Sequence, residues 1–414
     1  MKIALGVSGG IAAYKAAEVV RHLQERGLRV QVVMTAAAQE FVRPLTFAAL
    51  SGEKVITGMF GSEAEQPNLD SAIEHISVAQ SIDGLIVAPA TADVIAKLAQ
   101  GIANDFLSTL YLATKAPVII APAMNVNMWE HPATQANLQI LRERGVLVVE
   151  PGSGYLACGM VGAGRLADPE EIVGATLERL GIAQDLAGAT VLITAGPTYE
   201  PVDPVRFLGN RSSGKMGYAL AEAALRRGAK VTLISGPTAL QPPSAAQTVL
   251  VETAEQMHSA VMDRWHQTDV VIMAAAVADY HVASVAAEKI KRNGPMSLQL
   301  EPNPDILAAL GNARKATGKD TPLLIGFAAE TENLLENARA KLSRKGVDAI
   351  IVNDVSRSDI GFNSDRNEVT IVSAAEVLPI AEAGKFEIAQ KILDAVLRIR
   401  QQRRAGTHAQ AARS

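Results

Sequence analysis

The chain has 414 residues, of which 48% are hydrophobic, 20% are charged and one is a cysteine. This length exceeds what one ordinary core supports and predicts two or three domains. A net charge of −4 gives no cationic excess for nucleic acid, and one cysteine excludes an internal disulfide. Met1 and Lys2 lead directly into a short apolar strand, and no apolar run is long enough to span a bilayer. We therefore expect a cytoplasmic protein without a signal peptide or a membrane segment.

In the first half, short Val- and Ile-rich runs alternate with longer Ala- and Leu-rich segments, which predicts parallel strands covered by helices. The opening IALGV is a predicted strand, Ser8-Gly9-Gly10 a turn, and residues 11–25 a helix that is capped by Gly27. Further strands are predicted at RVQVVMT (29–35), 84–90, 117–123 and 146–151.

The same pattern restarts at residue 190. A strand, a helix that ends at Gly228 and a second strand are followed by predicted strands at 269–280, 322–330 and 348–354. The sequence thus predicts an α/β protein with two doubly wound, mostly parallel, Rossmann-like sheets. The predicted domains are 1–187 and 188–400. Residues 401–414 have no apolar periodicity and are predicted to be a disordered tail.

Small and hydroxyl residues end several predicted strands of the first half. Ser8-Gly9-Gly10 presents backbone N–H groups at the start of a helix, which suits a phosphate, although the same residues also form ordinary tight turns. The dinucleotide fingerprint GxGxxG is absent. Thr35 ends the second strand and Ala88-Pro89-Ala90-Thr91 ends a later one, so one sheet edge would suit a flat cofactor that carries a phosphate.

Three more residues of the first half are candidates for chemistry. His75 precedes a strand, where a histidine is either a structural residue or an acid–base group. Asn125 follows a strand in APAMNVNMW, where it forms an Asx turn or binds a ligand. Cys158 lies in PGSGYLACGMVGAGR, which is too rich in glycine to be a helix or a buried strand. Its thiol is either a small buried hydrophobe or an available proton donor.

These motifs resemble, in their order along residues 1–180, the phosphopantothenoylcysteine decarboxylases of the flavin-dependent Cys decarboxylase family. The resemblance implies a flavodoxin-like fold and an FMN, which would act as a temporary electron sink for the loss of CO2. His75 would then be the base of the oxidative step, Asn125 would hold the substrate carboxylate, and Cys158 would supply the final proton. Asp93 stands where an Asn stands in much of the wider family. The FMN would contact Ser8, Gly9, Gly10, Ile11, Thr35, Ala88, Pro89, Ala90 and Thr91.

In the second half, AGPTYEPVDPVRFLGNRSSGKMG (195–217) joins a strand to a helix, and EKIKR (288–292) concentrates three cations. The first segment is not a Walker A sequence, because Met216 follows Gly214-Lys215. Ser212, Ser213, Lys215 and the helix N-terminus nevertheless suit a polyphosphate. The charge run is either a solvated face or a site that neutralises a triphosphate.

These segments, together with AAAVADY, NPDI, GFAAET and VND, resemble the phosphopantothenate–cysteine ligases over residues 188–400. The resemblance implies that the carboxylate of 4′-phosphopantothenate attacks a nucleoside triphosphate and that cysteine then attacks the acyl-nucleotidylate. Lys289 would stabilise the developing charge, Asn210 would bind the intermediate, and Arg206 would bind substrate. Asp279 is the candidate Mg²⁺ contact. The nucleotide would contact Ala275, Asp279, Lys289, Pro304, Asp305, Ile306, Leu307, Phe327, Lys341 and Lys345. Lys341 and Lys345 also fit a solvated helix face.

The fusion of the two halves resembles the bacterial bifunctional enzymes of coenzyme A biosynthesis and implies CTP as the nucleotide. Decarboxylases of this kind are trimers and the ligases are dimers, so the resemblance implies a homo-oligomer, with a dodecamer as one arrangement. The sequence leaves two alternatives: an NAD(P)-dependent oxidoreductase, which the missing GxGxxG disfavours, and a binding module that retains a flavin fold without chemistry.

Overall fold

The computed structural model describes residues 1–59, 74–155, 161–292, 294–330, 333–354 and 364–411. The chain forms two compact units, which meet in sequence between Gln184 and Asp185. Each unit is built around its own mainly parallel sheet.

The sheet of the first unit contains five parallel strands in the order β2-β1-β3-β4-β5. This is the flavodoxin-like strand order, so the fold that was predicted for the first half is confirmed. The strands are β1 (Lys2–Val7), β2 (Arg29–Met34), β3 (Gly84–Ala90), β4 (Val118–Pro122) and β5 (Leu147–Val148).

Alternation along the strands places apolar side chains on both faces of this sheet. In β1, Ile3 and Leu5 pack into one core and Ala4 packs into the other. Both faces are covered by helices, as a parallel sheet requires. The helices are α1 (Ala16–Glu25), which follows a 3₁₀ turn at Ile11–Lys15, α2 (Ala36–Gln39), α3 (Pro44–Ser51), α4 (Glu74–Ser81), α5 (Ala92–Gln100), α6 (Phe106–Ala113), α7 (Val126–Glu130), α8 (Pro132–Glu143) and α9 (Pro169–Arg179).

The Gly-rich segment after β5 is a short antiparallel hairpin, β6 (Gly152–Tyr155) and β7 (Val161–Arg165). The high glycine content of this segment gave no signal for these strands. Glycine is required here because Gly164, at φ +131°, lies against the backbone of Met124, and a Cβ would come within 2.3 Å of the Met124 oxygen. The hairpin therefore packs closely onto the segment that follows β4.

The second unit contains an eight-stranded sheet in the order β12-β11-β8-β13-β16-β17-β18-β19. Its six parallel strands, taken in chain order, follow the 3-2-1-4-5-6 arrangement of the Rossmann fold. The predicted second doubly wound sheet is therefore confirmed. The strands are β8 (Thr190–Ala195), β11 (Lys230–Ser235), β12 (Gln247–Leu250), β13 (Val270–Met273), β16 (Leu323–Glu330), β17 (Ala349–Asp354), β18 (Arg366–Ser373) and β19 (Val377–Gly384).

Helices cover both faces of this sheet as well. Val191 and Ile193 of β8 belong to one buried core, and Leu192 belongs to the other. The helices are α10 (Lys215–Arg226), α11 (Ala254–Met262), α12 (Ile306–Thr317), α13 (Leu334–Lys345) and α14 (Lys385–Ala411), with a 3₁₀ turn at Trp265–Gln267. Two small ribbons pair β9 (Tyr199–Pro201) with β10 (Phe207–Gly209) and β14 (Tyr280–Val282) with β15 (Leu300–Pro302).

Two expectations for the second unit are wrong in detail. The strand that was predicted over 269–280 ends at Met273, because the chain then crosses the sheet edge and Ala276 N donates to Gly196 O. The tail that was predicted to be disordered continues α14 to Ala411. Its Ala, Gln and Arg residues favour a helix, and Arg403 donates to the backbone oxygen of Asp320 at 2.8 Å.

No helix in the described part of the chain is long and apolar enough to cross a membrane.

Candidate active sites

The first candidate site lies at the carboxyl ends of β1 and β3, where the strand order of the first sheet reverses. The buried Ser8 hydroxyl connects the two ends, because it donates to Pro89 O at 2.7 Å and accepts from Thr91 N at 3.1 Å. Ala88 and Ala90 are buried beside Pro89 in β3. Open α/β sheets bind ligands at such a reversal, and the flavodoxin-like fold binds FMN there.

The turn after β1 offers free backbone donors. In the described part of the chain, the N–H groups of Gly9, Gly10 and Ile11 donate to no protein acceptor. A Cβ on Gly9 would lie 2.4 Å from the Cβ of Ala37, so the turn passes this point only because residue 9 is glycine. Three unpaired N–H groups at the start of a helical segment fit a phosphate group.

Thr35 and Thr91 lie on the same edge of the sheet. Thr35 caps α2 by accepting from Ala38 N at 3.2 Å, and Thr91 caps α5 by accepting from Val94 N at 3.4 Å. Each hydroxyl thus stands where a strand gives way to a helix, beside the turn after β1.

Asp93, in the first turn of α5, is paired with a lysine. Lys97 Nζ lies 3.1 Å from Asp93 and 3.4 Å from Asp105. Burial lowers the pKa of Lys97, but the two carboxylates outweigh it and the pKa is raised. Lys97 therefore stays protonated and offsets the negative charge that Asp93 brings to this edge.

Asn125 and His75 occupy different elements of the first unit. Asn125 follows β4 and caps α7, where its side chain accepts from Asn127 N at 2.8 Å. His75 is half-buried in α4, and its ring meets that of Phe106 edge to face at 6.5 Å. Cys158 falls in 156–160, outside the described residues.

The second candidate site is a cavity of about 420 Å³ in the second unit. It is lined by the carboxyl ends of β13, β16 and β17 and by the N-terminus of α10, which packs on the end of β8. β8 and β13 are the neighbouring strands between which this sheet reverses its strand order. The loop after β13 forms one wall, and it is held by Asn210 Nδ2, which donates to Ala276 O, and Asn303 Nδ2, which donates to Ala278 O, both at 2.9 Å. The N-termini of α10 and α12 complete the walls, so backbone donors face the cavity.

Most of the residues that the sequence assigned to a nucleotide line this cavity. Lys345 does not lie on a solvated face, because its side chain is largely buried and its Nζ lies 3.1 Å from Asp305 Oδ2. The predicted residues at the cavity are Asn210, Ala275, Asp279, Pro304, Asp305, Ile306, Leu307, Phe327, Lys341 and Lys345. The polyphosphate candidates Ser212, Ser213 and Lys215 are there as well.

Lys289 and Arg206 are not part of the cavity lining. Lys289 is exposed, in the irregular segment before β15. This segment is attached to the loop after β9: Ile290 N donates to Asp203 Oδ2 at 3.1 Å, and Arg206 donates to Ile290 O at 2.6 Å. Burial raises the pKa of Asp203, but three backbone donors and Arg206 outweigh it, so the pKa is lowered and the carboxylate stays charged. Arg206 is thus placed to position the lysine segment.

Four polar residues of the cavity were not assigned from the sequence: Asn303, Asn353, Asn367 and Lys385. Asn303 immediately precedes the predicted Pro304 turn, and Asn353 belongs to the VND segment, so motif reading had a signal for both. Asn367 and Lys385 lie in β18 and at the start of α14. They were missed because the antiparallel edge of the sheet was not predicted.

Comparison with known proteins agrees with this division into two units. Residues 1–181 match the family Flavoprotein, and residues 186–399 match the DNA/pantothenate metabolism flavoprotein C-terminal domain. The coenzyme A biosynthesis bifunctional protein CoaBC of Escherichia coli K12 is 46% identical over 402 residues, which cover 96% of each chain. The chain belongs to the family of these bifunctional proteins. The CoaBC proteins of Vibrio cholerae and Bacillus subtilis are 49% and 47% identical and cover 89% and 94% of this chain, and 91% and 96% of their own.

The alignment with these relatives includes both units, and one family model matches each of them. The two candidate sites therefore belong to the two halves of a bifunctional protein of coenzyme A biosynthesis. In the described residues, no group of three or more His, Cys, Asp and Glu side chains is placed to hold a metal ion.

Proposed function

We propose that this protein makes 4′-phosphopantetheine in two steps. The second unit joins cysteine to 4′-phosphopantothenate at the expense of CTP, and the first unit decarboxylates the product with FMN. The observation that carries the proposal is that each sheet reverses its strand order at the residues that the sequence assigned to a ligand. The relatives named CoaBC, which align along nearly the whole chain, support the pairing of the two activities.

In the ligation, the cavity of the second unit holds the nucleotide. The N-terminus of α10 and Lys341 and Lys345 face the phosphates, while the loop after β13 borders the rest of the ligand. The carboxylate of 4′-phosphopantothenate attacks the α-phosphate and releases pyrophosphate. The amine of cysteine then attacks the acyl-cytidylate and releases CMP, with Asn210 holding the intermediate.

Lys289 has to reach this reaction from outside the cavity. Its neighbour Ile290 is bonded to Asp203 and Arg206, so the cations of 288–292 are carried on a segment fixed at one point. Lys289 then stabilises the charge that develops on the attacked phosphate. Asp279 would help to hold a Mg²⁺ ion, which would supply further positive charge to the phosphates.

In the decarboxylation, the residues at the end of β1 and β3 fit FMN. The N–H groups of Gly9, Gly10 and Ile11 would hold the phosphate, and Ser8, Thr35 and Thr91 would border the rest of the cofactor. A bound FMN would supply a temporary two-electron sink for the substrate, which would allow the carboxylate to leave as CO₂. His75 is proposed to accept a proton, Asn125 to bind the carboxylate and Cys158 to return a proton to the product.

We further propose that the protein is a homo-oligomer, with a dodecamer of decarboxylase trimers and ligase dimers as the expected arrangement. Large apolar side chains exposed in both units support association, among them Tyr14 and Leu45 in the first and Val205 and Phe207 in the second. The mass of the purified protein by light scattering tests this part of the proposal.

The decisive experiment incubates the full chain with 4′-phosphopantothenate, cysteine, CTP and Mg²⁺ and measures CO₂ and pyrophosphate. We expect both products, together with the absorbance of oxidised flavin in the purified protein. Pyrophosphate without CO₂ would exclude the decarboxylase, and CO₂ only from added 4′-phosphopantothenoylcysteine would exclude the ligase. Replacing CTP by ATP in the same assay tests the choice of nucleotide.

A further inference from the structure

Two lysines and an aspartate meet at one end of the second-unit cavity. Lys215 begins α10 and Lys385 begins α14, and both line the cavity. Lys215 Nζ lies 2.6 Å from Asp365 Oδ1, and Lys385 N donates to Asp365 O at 3.0 Å. Asp365 is therefore bonded to the first residue of each helix.

Burial differs sharply within this group. The Lys385 residue is 7% exposed, whereas the Asp365 side chain is 86% exposed. A largely buried ammonium group is costly unless an anion compensates it. The exposed carboxylate of Asp365 compensates Lys215 directly, and it can swing into water without any loss of core packing.

The charges facing Lys385 act in opposite directions. Together they lower the pKa of Lys385 to about 8: burial is the largest influence and lowers the pKa, Lys215 lowers it as well, and Asp365 raises it. Lys215 in turn holds the pKa of Asp365 below its ordinary value. Among the residues that the structure describes, further charged groups of this region form ion pairs: Arg366 with Glu382, Glu387 with Lys391, and Lys345 with Asp305.

We propose that Lys215 and Lys385 form a paired cationic site for the polyphosphate part of the ligand, and that Asp365 occupies this site until the polyphosphate displaces it. The inference rests on the nucleotide-dependent ligation proposed above. To the polyphosphate candidate Lys215 it adds a second lysine ligand, Lys385, and an exchangeable counter-ion, Asp365. A polyphosphate brings several negative charges to Lys385 where Asp365 brings one, so binding secures the proton on Lys385.

The chemistry of the exchange requires no covalent step. Asp365 Oδ1 leaves Lys215 Nζ, phosphate oxygens take its place, and Lys385 takes up a proton from solvent when it was neutral. At pH 8 this uptake amounts to about half a proton for each site, because a group at its pKa is half protonated.

The test titrates inorganic tripolyphosphate into the full-length protein by calorimetry at pH 7, 8 and 9, in two buffers of different ionisation enthalpy. Three variants are compared with the wild type: Lys385→Met, Lys385→Arg and Asp365→Asn. Lys391→Met, in the same helix and outside the cavity, is the matched control. Protonation of the probe itself is common to all of them and cancels.

We expect Lys385→Met to bind about tenfold more weakly than the wild type at pH 7, because one charged ligand of a phosphate is lost. Lys385→Arg keeps its charge and should lose the extra proton uptake at pH 8. Asp365→Asn should bind several-fold more tightly, because no carboxylate has to be displaced. Wild-type affinity in Lys385→Met would overturn the paired site, and weaker binding by Asp365→Asn would overturn the exchange.

The inference can fail separately from the proposed function, because tripolyphosphate contains no nucleoside and needs no turnover. If Lys385→Met forms pyrophosphate with the wild-type KM for CTP, the proposed lysine pair is wrong, whereas the proposed ligase activity stands. If the wild-type protein binds tripolyphosphate as expected but forms no pyrophosphate from CTP, the proposed ligase activity is wrong, whereas the lysine pair stands. If Lys385→Met does not fold, the proton uptake at pH 8 is compared between the wild type and Lys385→Arg. Equal uptake by the two proteins would overturn the proposal.

Discussion

Burying Lys385 lowers the stability of the folded second unit at neutral pH, and this effect has a definite sign. In the unfolded chain the lysine titrates near 10.5, whereas in the folded chain its pKa is about 8. Between these values the unfolded chain binds more protons, so the contribution of this group to stability rises with pH. Below about pH 8 the cost is fully present, and above about pH 10.5 it is absent.

We therefore expect Lys385→Met to raise the free energy of unfolding at pH 7 by roughly 1–3 kcal/mol, with the gain shrinking as the pH approaches 10.5. The free energies of unfolding of the wild type and of Lys385→Met are measured by denaturant titration at each pH, without phosphate in the buffer, and their difference is compared. Lys391→Met, which removes an exposed lysine paired with Glu387, should change stability by less than about 0.5 kcal/mol. A loss of stability in Lys385→Met at pH 7 would contradict the argument.

Ser8 shows how one buried hydroxyl joins two strands at a ligand site. Ser8→Ala leaves Thr91 N without its acceptor, which should cost about 1–3 kcal/mol of stability. Because the turn beside it is proposed to hold the FMN phosphate, we also expect flavin to be retained at least about tenfold more weakly. Flavin absorbance after dialysis measures this. Ser81→Ala, which removes an exposed hydroxyl at the end of α4, should retain flavin normally.

At the scale of elements, the position of α10 depends on a glycine. A Cβ on Gly217 would lie 2.5 Å from the Cβ of Ala195 at the end of β8. Gly217→Ala should push the start of α10 away from the sheet, with a loss of about 1–3 kcal/mol of stability. Tripolyphosphate binding should weaken with it, because the helix N-terminus forms a wall of the cavity.

The matched control for this substitution is Gly384→Ala, in the same unit, where an added Cβ meets no atom within 4 Å. It should leave both the melting temperature and tripolyphosphate binding close to the wild type. If Gly217→Ala behaves like Gly384→Ala, close packing of α10 on β8 does not set the geometry of the cavity.

The parallel parts of both sheets were predictable because fully buried strands are short apolar runs bounded by turns. The strand over 84–90 was predicted with the bounds that the structure shows. β18 and β19 were not predicted, because their polar residues alternate with apolar ones at the edge of the sheet. Lys385 was missed for that reason, since only the turn from β19 into α14 places it at the cavity.

Site residues on long loops were harder to place from the sequence. Asn210, Asp279 and Lys345, which motif order assigned to the ligase site, line one cavity, because each follows or faces the end of a parallel strand. Lys289 and Arg206 lie on irregular segments that are held by Asp203 rather than by a strand. Their position depends on hydrogen bonds between residues more than 80 positions apart, which no local pattern encodes.

At the scale of the whole molecule, two units with separate sheets and separate cores predict two activities that substitutions can separate. Among the described residues, each core cluster belongs to one unit only, so the core of one unit can be altered without changing the core of the other. The product of the ligation must then leave one site before the other can use it.

Cys158→Ala and Lys289→Gln test this separation. Cys158→Ala should form pyrophosphate at the wild-type rate and release CO₂ no more than about once per site, without 4′-phosphopantetheine, because the final proton donor is absent. Lys289→Gln should form no pyrophosphate but decarboxylate added 4′-phosphopantothenoylcysteine normally. A mixture of the two variants should regain 4′-phosphopantetheine synthesis, since the first supplies the intermediate and the second converts it. Loss of both activities in either variant, or a mixture that makes no product, would show that the two units do not act independently.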